Sequence, residues 1–403
     1  FLSSKFGLNR LEDLEKFYLA RIPFSQEYAN YFFSVLSKAI SVSLGRLKKV
    51  LVLDLDNTIW GGILGDDGYE KIVIDSESPI GLAYSNFQQF ILNLKKRGVL
   101  LAISSKNLFE NVKNAFQKNK NLILKIDDFV SIKANWNDKA NNIIEISKEL
   151  NLGLDSFVFM DDSPVERELI RSYLPSVEVP ELPEDPSCYK DILLDSFAFD
   201  IVNFSKEDLS RSKTYLSNSK RKNLKKKFDN IDDYMKSLQM SAECSSFKRK
   251  NYDRVVQLFQ RSNQFNFTTI RYSLGDIQKF EKNKSNITMQ VSFNDKFSKY
   301  GIISLIIGKI NSQKLEILNW VMSCRVLNRT LENFIINKIY NICRQHKLKE
   351  IVGVYKPTQK NSLVKNLYED LGFKIISNNH GNKVYKYDIK NHKSKKTPIK
   401  EIK

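Results

Sequence analysis

The segment from Val50 to Thr58 constrains this chain most, because an apolar run ends there in closely spaced carboxylates. The run Val50–Leu53 is apolar at every position and leads into Asp54, Asp56 and Thr58. A run without polar alternation is typical of a parallel strand that is buried on both faces. Doubly wound sheets bind their ligands at the carboxyl ends of such strands. The segment therefore predicts an α/β fold with a chemical site directly after this strand.

The spacing of the two carboxylates suits phosphoryl transfer. Asp54 can attack a phosphoryl group only if its own negative charge is offset, as a bound Mg²⁺ would do. Asp56 can reach the leaving oxygen as a general acid and then activate a water as a base. Thr58 can donate a hydrogen bond to a phosphate oxygen. The alternative is a strand that simply stops at a polar turn, since Asp and Asn favour turns.

Two further apolar strands, at 100–103 and 157–160, also end in polar residues. The residues that we expect at these strand ends are Ser104, Ser105, Lys106 and Asn107 as phosphate-binding groups, and Asp161 and Asp162 as carboxylates for the metal. Lys139 opens an amphipathic stretch between the two strands and is a further candidate for phosphate binding. Taken alone, Lys139 would be a solvated surface lysine.

In this order the motifs resemble those of the haloacid dehalogenase superfamily. Asp54 matches the nucleophile, Asp56 the acid/base and Lys139 the third motif. Three longer strings are similar to the FkbH-like family, and the similarity runs from about residue 45 to about 387; the strings are DLDNTIWGGILGDDG, ANWNDKANNI and FVFMDDSPVERELIR.

This resemblance implies a specific activity. FkbH-like proteins load glyceryl or lactyl units onto acyl carrier proteins in polyketide biosynthesis. The implied donor is 1,3-bisphosphoglycerate, and the implied acceptor is a phosphopantetheine thiol. The resemblance also implies a Mg²⁺ ion, whose expected ligands are Asp54, Asp56, Asp161 and Asp162. The stretches at 60–75 and 105–136 leave room for a flap, a helix and a strand, so we expect no large cap over the site.

The second half of the chain has a different pattern. Paired strands are predicted at 301–307 and 315–321, followed by a helix, a strand at 350–355 and a helix at 361–372. This order resembles the GNAT acyltransferase fold, in which a glycine-containing turn at a helix start binds a pyrophosphate. Asn328 and Thr330 stand where the glycines are expected, which puts coenzyme A binding in doubt.

Cys324 is the candidate nucleophile of this half. We predict it at a strand end near a helix N-terminus, where the helix dipole and Arg325 would stabilise a thiolate. A thiolate attacks an acyl phosphate readily and can pass the acyl group to another thiol. The alternative is a small buried cysteine without chemistry. Arg325, Arg329 and Asn266 are the residues that we expect to bind substrate here, although an asparagine can also cap a helix.

Composition limits the remaining possibilities. The four cysteines form no C-x-x-C pair, which predicts a reducing, cytoplasmic location and disfavours zinc. No apolar run is long enough to span a membrane. The net charge of +18 could serve nucleic acid, an acidic protein partner or solvation alone. We favour a carrier protein over nucleic acid, because no nucleic-acid motif accompanies the basic run at 220–227.

The predicted organisation has five parts. A helical segment covers 1–46, and a HAD-like parallel-sheet domain without a large cap covers 47–179. A linker with connecting helices covers 180–245, a GNAT-like α/β domain covers 246–388, and a disordered basic tail covers 389–403. The chain begins with Phe1, which suits a piece of a multienzyme assembly or a processed chain. Three rivals to the loading function stay open: a phosphatase of macromolecules, a coenzyme A-dependent N-acyltransferase and a non-catalytic module.

Overall fold

The computed structural model describes residues 7, 12–43, 48–200, 214, 215, 217, 221, 224, 225 and 227–402. Two helices come first, α1 (Leu14–Ala20) and α2 (Gln26–Ser43). They confirm the prediction of a helical N-terminal segment. The predicted apolar side of α2 stays largely exposed, with Phe33 64% and Ile40 52% accessible. None of the described helices has the length and apolarity that crossing a membrane requires.

The first domain is built on four parallel strands in the order β3-β2-β1-β4. Its elements are β1 (Val50–Leu53), α3 (Leu64–Asp67), α4 (Pro79–Lys96), β2 (Leu100–Ser105), α5 (Phe109–Lys118), β3 (Phe129–Ala134), α6 (Lys139–Leu150), β4 (Phe157–Met160), α7 (Pro164–Tyr173) and α8 (Tyr189–Asp195). The predicted doubly wound sheet is therefore present.

Apolar cores on both faces of this sheet explain the unbroken apolar strands. Leu51 and Leu53 face one core, while Val50 and Val52 face the other, and all four side chains are fully buried. Such burial on both faces is the condition under which a strand loses its polar alternation.

The first domain extends beyond residue 179, where the sequence analysis ended it. Leu182, Tyr189, Leu193 and Phe199 pack into the same core as Leu51. The proline-rich stretch at 180–186 is therefore a connection within the domain rather than a linker between domains. Most of the expected connecting helices at 201–226 lie outside the described residues.

The second domain contains a mixed sheet of eight strands in the order β10-β11-β9-β8-β7-β6-β5-β12. Its elements are α9 (Ile231–Ser237), β5 (Ser241–Ser245), α10 (Tyr252–Arg261), α11 (Leu274–Lys282), β6 (Asn286–Asp295), β7 (Ser298–Asn311), β8 (Lys314–Met322), α12 (Leu331–Gln345), β9 (Glu350–Tyr355), α13 (Leu367–Asp370), β10 (Lys374–Asn379), β11 (Asn382–Asp388) and β12 (Lys400–Glu401). β8 and β9 pair in parallel, whereas β5 to β8 pair antiparallel in sequence order. This order agrees with the predicted GNAT-like domain.

The prediction of a disordered tail after residue 388 is wrong. β12 adds a parallel strand to β5, with Lys400 paired to Ser241. Ile399 enters the core of the second domain, and the backbone of Lys395 exchanges hydrogen bonds of 2.9 Å with the Asn337 side chain. The many lysines of this segment suggested disorder, but two buried isoleucines, Ile389 and Ile399, hold it against the second domain.

Candidate active sites

The first candidate site lies at the carboxyl edge of the parallel sheet. Leu53 is in register with Ile103 of β2 and Met160 of β4, so the residues that follow these strands are neighbours. Asp54, Ser104 and Asp161 occupy those positions. The structure thus brings together the polar strand ends that the sequence placed in one site.

Lys139 connects the two buried acids of this site. Its Nζ lies 3.0 Å from Asp54 Oδ1 and 2.6 Å from Asp161 Oδ2, and all three side chains are at most 7% exposed. The Asp138 side chain accepts a hydrogen bond from Ala140 N, which fixes the start of α6 and therefore the position of Lys139. The predicted role of Lys139 as a charged group in the site agrees with this geometry.

Burial and mutual repulsion disturb the acids of the site. Burial raises the pKa of Asp54 to about 7, with a further contribution from Asp161, while the ammonium of Lys139 opposes the rise. Burial also raises the pKa of Asp161 and of Asp162. Burial alone would lower the pKa of Lys139, but the carboxylates of Asp54 and Asp161 outweigh this effect and raise the pKa. One lysine therefore does not balance the charge of three carboxylates.

Three carboxylates are close enough to hold a cation. Oxygens of Asp54, Asp161 and Asp162 all lie within 4.8 Å of one another. A set of hard oxygen donors with excess negative charge fits a hard divalent ion. A bound divalent ion would stabilise the charged forms of these acids and would therefore lower their raised pKa values.

Asp56 does not belong to this cluster through its side chain. Asp56 Oδ1 accepts hydrogen bonds from Trp60 Nε1 and Leu64 N, both at 3.0 Å, and Oδ2 accepts one of 2.8 Å from Asn107 Nδ2. The prediction of Asp56 as a metal-binding carboxylate therefore finds no support in the geometry. These three donors orient the Asp56 carboxylate beside the site, which is compatible with its predicted role as an acid/base.

The remaining predicted residues take several positions. Thr58 Oγ1 accepts a hydrogen bond of 3.1 Å from Asp162 N, and Ser105 Oγ accepts one of 3.2 Å from Asn107 Nδ2. Ser104 Oγ is buried without a hydrogen-bond partner among the described residues. Lys106 Nζ lies 2.5 Å from Glu166 Oε1 and is half exposed, so it stands at the rim of the site.

Loops and helix starts surround this site at the edge of the sheet. The short flap between β1 and α4 is held by Asn57, whose Oδ1 accepts a hydrogen bond of 2.9 Å from Gly62 N. Large apolar side chains are exposed on the loops and helix starts that follow the four strands; they are Ile63, Leu108, Phe109, Trp136 and Val165. No inserted cap domain lies among the described residues 48–200, as the sequence predicted.

The second candidate site is a pocket of about 390 Å³ between the two domains. Cys324 lies on its wall, together with residues of α10 and of the turn at 262–265. Among the described residues, five cationic side chains and one carboxylate line the pocket; they are Lys49, Arg254, Arg261, Arg325 and Lys360, and Asp155. Lys360 forms an ion pair with Asp155 across the domain boundary. The excess positive charge fits an anionic ligand.

The surroundings of Cys324 differ in part from those predicted. Cys324 begins a 3₁₀ turn, Cys324–Val326, just after β8, but α12 begins only at Leu331. The prediction that a helix dipole stabilises a Cys324 thiolate is therefore wrong. Tyr215 Oη lies 3.6 Å from Cys324 Sγ, a contact that the sequence did not predict. Burial raises the pKa of both Cys244 and Cys343 to about 12, which disfavours a thiolate at either residue.

Two predicted substrate-binding residues lie elsewhere. Arg329 is buried and its Nη1 lies 2.6 Å from Asp295 Oδ2, so it belongs to the core of the second domain. Arg221, from the predicted basic docking run, lies 2.9 Å from the same carboxylate. Asn266 is fully buried and holds the turn before Thr269, whose N–H donates to its Oδ1 at 2.8 Å. Arg325 alone of the predicted binding residues lines the pocket.

The turn before α12 has the backbone shape of a glycine turn without the glycines. Asn328 and Thr330 both have positive φ, at 60° and 57°. This left-handed conformation is unusual for a β-branched residue. The hydroxyls of Thr330 and Thr397 are 3.0 Å apart, so the C-terminal segment lies against this turn. The C-terminal segment thus occupies space beside the turn at which coenzyme A would bind. This contact is a second reason, besides the missing glycines, to expect no coenzyme A binding.

Comparison with solved structures gives partial likenesses. The N-terminal part of the protein BF1531 from Bacteroides fragilis, which contains a phosphatase domain and is complexed with Mg, is 41% identical, with a TM-score of 0.49. That likeness covers 50% of this chain and 54% of the other, so it spans about half the length of that protein. Neither a family model nor a curated protein sequence matches the chain.

Structures of acetyltransferases are similar to about a third of the chain at low identity. The PaiA N-acetyltransferase of Thermoplasma acidophilum, in complex with coenzyme A, is 14% identical, covers 37% of this chain and 99% of its own, and has a TM-score of 0.29. An acetyltransferase of the GNAT family from Streptococcus pneumoniae is 13% identical with the same coverage and a TM-score of 0.30.

Proposed function

We propose that this protein is a bifunctional phosphatase and acyltransferase that loads a glyceryl or lactyl unit onto an acyl carrier protein. The donor in this proposal is 1,3-bisphosphoglycerate, and the acceptor is the phosphopantetheine thiol of the carrier. The observation that carries the proposal is the position of Cys324, a thiol on the wall of a cation-lined pocket. The resemblance to FkbH-like proteins supports the identity of the donor and of the carrier.

The transfer step in this proposal uses Cys324. Its sulfur attacks the acyl carbon of the donor, a sulfur–carbon bond forms, and the bond from that carbon to the phosphate oxygen breaks. Arg325 and the other cations of the pocket stabilise the departing phosphate. The carrier thiol then attacks the same carbon and releases Cys324. Tyr215, close to Cys324 Sγ, is placed to exchange a proton with the sulfur.

The phosphatase step uses the carboxyl edge of the parallel sheet. Asp54 is the nucleophile, Asp56 donates a proton to the leaving oxygen, and Lys139 binds a phosphate oxygen. Mg²⁺, which Asp54, Asp161 and Asp162 would hold, offsets the negative charges of phosphate and nucleophile when it is bound. The Mg complex of the similar Bacteroides fragilis phosphatase domain supports this choice of ion.

Intact-protein mass spectrometry tests the proposal. Wild type is incubated with 1,3-bisphosphoglycerate and Mg²⁺, and Cys324→Ala and Cys188→Ala are treated in the same way. Cys188 is the matched control, because its thiol is exposed and lies outside the pocket. We expect a three-carbon acyl adduct on wild type and on Cys188→Ala that is absent from Cys324→Ala and passes to a pantetheinylated carrier.

A second candidate function is favoured by the uncapped site. A phosphatase of a macromolecular phosphate would use the uncapped Asp54 site for the reaction and the second domain for docking only. It would release phosphate from its substrate equally well after Cys324→Ala and form no adduct. Observing this pair of results would replace the loading function.

A further inference from the structure

Two buried tyrosines of the first domain, Tyr84 of α4 and Tyr189 at the start of α8, share one backbone acceptor. The hydroxyl of Tyr84 donates a hydrogen bond of 3.2 Å to the carbonyl oxygen of Asn57, and the hydroxyl of Tyr189 donates one of 3.3 Å to the same atom. Both tyrosines are at most 4% exposed. A carbonyl oxygen has two lone pairs, so it can accept both bonds at once.

The residue that they hold, Asn57, lies between Asp56 and Thr58 of the candidate phosphatase site. Its φ of 49° is in the left-handed region, which asparagine adopts more readily than most residues. Its peptide group is planar, so the direction of its carbonyl also sets that of the N–H of Thr58, which donates to Leu55 O at 3.2 Å. An anchor on the Asn57 carbonyl therefore restricts the turn that carries Asp56 and Thr58.

The two anchors come from separate parts of the chain. Tyr84 is 27 positions from Asn57, and Tyr189 is 132 positions from it. The ring of Phe87, also on α4, meets the ring of Tyr189 edge to face with 5.7 Å between the centroids, so the two helices support each other. The region of Tyr189, which the sequence analysis assigned to a linker, thus reaches the turn after β1.

Both hydroxyls remain protonated donors at neutral pH. Burial raises the pKa of Tyr189 to about 12, and the charge of Asp162 is a further cause. Burial also raises the pKa of Tyr84, and the charges of Tyr189 and Asp162 add to this rise. The same carboxylate acts on both phenols, so the pair lies beside the acidic cluster to which Asp162 belongs.

We propose that Tyr84 and Tyr189 are a redundant pair of positioning residues, which hold the Asn57 carbonyl and thereby keep the Asp56 carboxylate in place to protonate the leaving oxygen. This inference rests on the phosphatase step proposed above and adds two residues to it. With one hydroxyl removed, the carbonyl keeps a donor. With both removed, a buried carbonyl loses both donors, and the turn shifts to find another partner.

Two phosphate esters separate positioning from mere stabilisation of the domain. Phenolate leaves poorly unless it is protonated, whereas p-nitrophenolate leaves without a proton, so only phenyl phosphate depends strongly on Asp56 as an acid. Phosphate release with Mg²⁺ is measured as kcat/KM on both esters for wild type, Tyr84→Phe, Tyr189→Phe and the double variant. Tyr173→Phe is the matched control, because Tyr173 belongs to the same domain and is 70% exposed.

The double variant should lose far more activity than the single variants together. We expect each single variant and the control to stay within about 5-fold of wild type on phenyl phosphate, and the double variant to lose at least about 50-fold. On p-nitrophenyl phosphate the loss of the double variant should be at least about 5-fold smaller. Additive losses in the single variants, or equal losses on the two esters, would contradict the proposed positioning.

The remaining outcomes are also decisive. A double variant that no longer folds, beside single variants that do, would show that the pair holds the domain rather than the site, and it would overturn the proposal. If wild type shows no Mg²⁺-dependent release from either ester that Asp54→Asn abolishes, the phosphatase step itself fails. That result differs from an active wild type whose double variant keeps full activity, which would refute only the role of the tyrosines.

Discussion

Lys139 Nζ lies 3.0 Å from Asp54 Oδ1, so the proposed nucleophile is ion-paired with a buried ammonium. The same ammonium contacts Asp161 at 2.6 Å. Removing it leaves two buried carboxylates without a counterion, a situation that costs about 3–5 kcal/mol in other proteins. The lysine thus contributes to stability in addition to the phosphate binding proposed for it.

Lys139→Met is therefore expected to lower phosphate release at least about 100-fold, because the phosphate loses a cation at the point of attack. It should also lower the free energy of unfolding, measured by urea denaturation without metal. Added Mg²⁺ should restore much of this stability, because it replaces positive charge in the same cluster. Lys133→Met is the matched control, since Lys133 pairs with Glu145 and Glu149 outside the site.

The buried acid Asp54 should make metal-free protein less stable at neutral pH than at mildly acidic pH. Burial raises its pKa to about 7, well above that of an exposed Asp. The folded state therefore holds this proton more tightly, and its contribution to stability is lost as the pH rises from about 4 through 7.

Asp54→Asn removes this titration. The difference in melting temperature between wild type and Asp54→Asn, measured in EDTA, should shift in favour of Asp54→Asn as the pH is raised from 5 to 8. A difference that stays constant over this range would show that Asp54 does not titrate as the geometry indicates.

Metal removal should separate the two activities. The acidic cluster belongs to the edge of the sheet opposite the Cys324 pocket. EDTA is therefore expected to abolish phosphate release at the Asp54 site while the Cys324 adduct still forms at an unchanged rate. Rapid-quench mass spectrometry measures both. Equal loss of both activities would mean that one metal-dependent site does both steps.

The sequence correctly predicted which polar residues meet at the edge of the parallel sheet. The residues after β1, β2 and β4 meet because parallel strands bring their carboxyl ends to one edge, and this follows from the apolar runs alone. The sequence could not give the partner of each residue: Arg329 looked like a phosphate ligand but is bound by Asp295, which lies 34 positions away.

The relation between the domains was also beyond sequence reasoning. Nothing in the residues around Cys324 indicates that they meet Lys49 and Ser156 at the amino edge of the first sheet. Such contacts depend on packing between distant segments, for which a local pattern carries no signal. The ordered C-terminal strand was missed for the same reason, because its buried isoleucines and its hydrogen bonds have their partners in distant segments.

The carboxylate of Asp295 is expected to be a major contributor to the stability of the second domain. It is fully buried between Arg221 and Arg329, at 2.9 and 2.6 Å. Burial alone would raise its pKa, but the hydrogen bond from Arg221 and the charge of Arg329 outweigh it and lower the pKa. Asp295→Asn leaves two buried guanidinium groups without their counterion and should cost about 3–5 kcal/mol. Urea denaturation measures this loss, and the exposed Asp229→Asn should change stability by less than about 0.5 kcal/mol.

Coenzyme A is not expected to bind the second domain tightly. The turn before α12 lacks glycines, Arg329 is committed to Asp295, and Thr397 contacts Thr330 at that turn. Isothermal titration calorimetry with acetyl-CoA should detect no binding at micromolar concentrations, whereas a pantetheinylated carrier should accept the acyl group from Cys324. Tight binding of acetyl-CoA, together with transfer of its acetyl group to an amine, would favour an N-acyltransferase instead. A carrier arm and acetyl-CoA present the same pantetheine thioester, but acetyl-CoA also carries a pyrophosphate, and the turn that would bind it has no glycine in this chain.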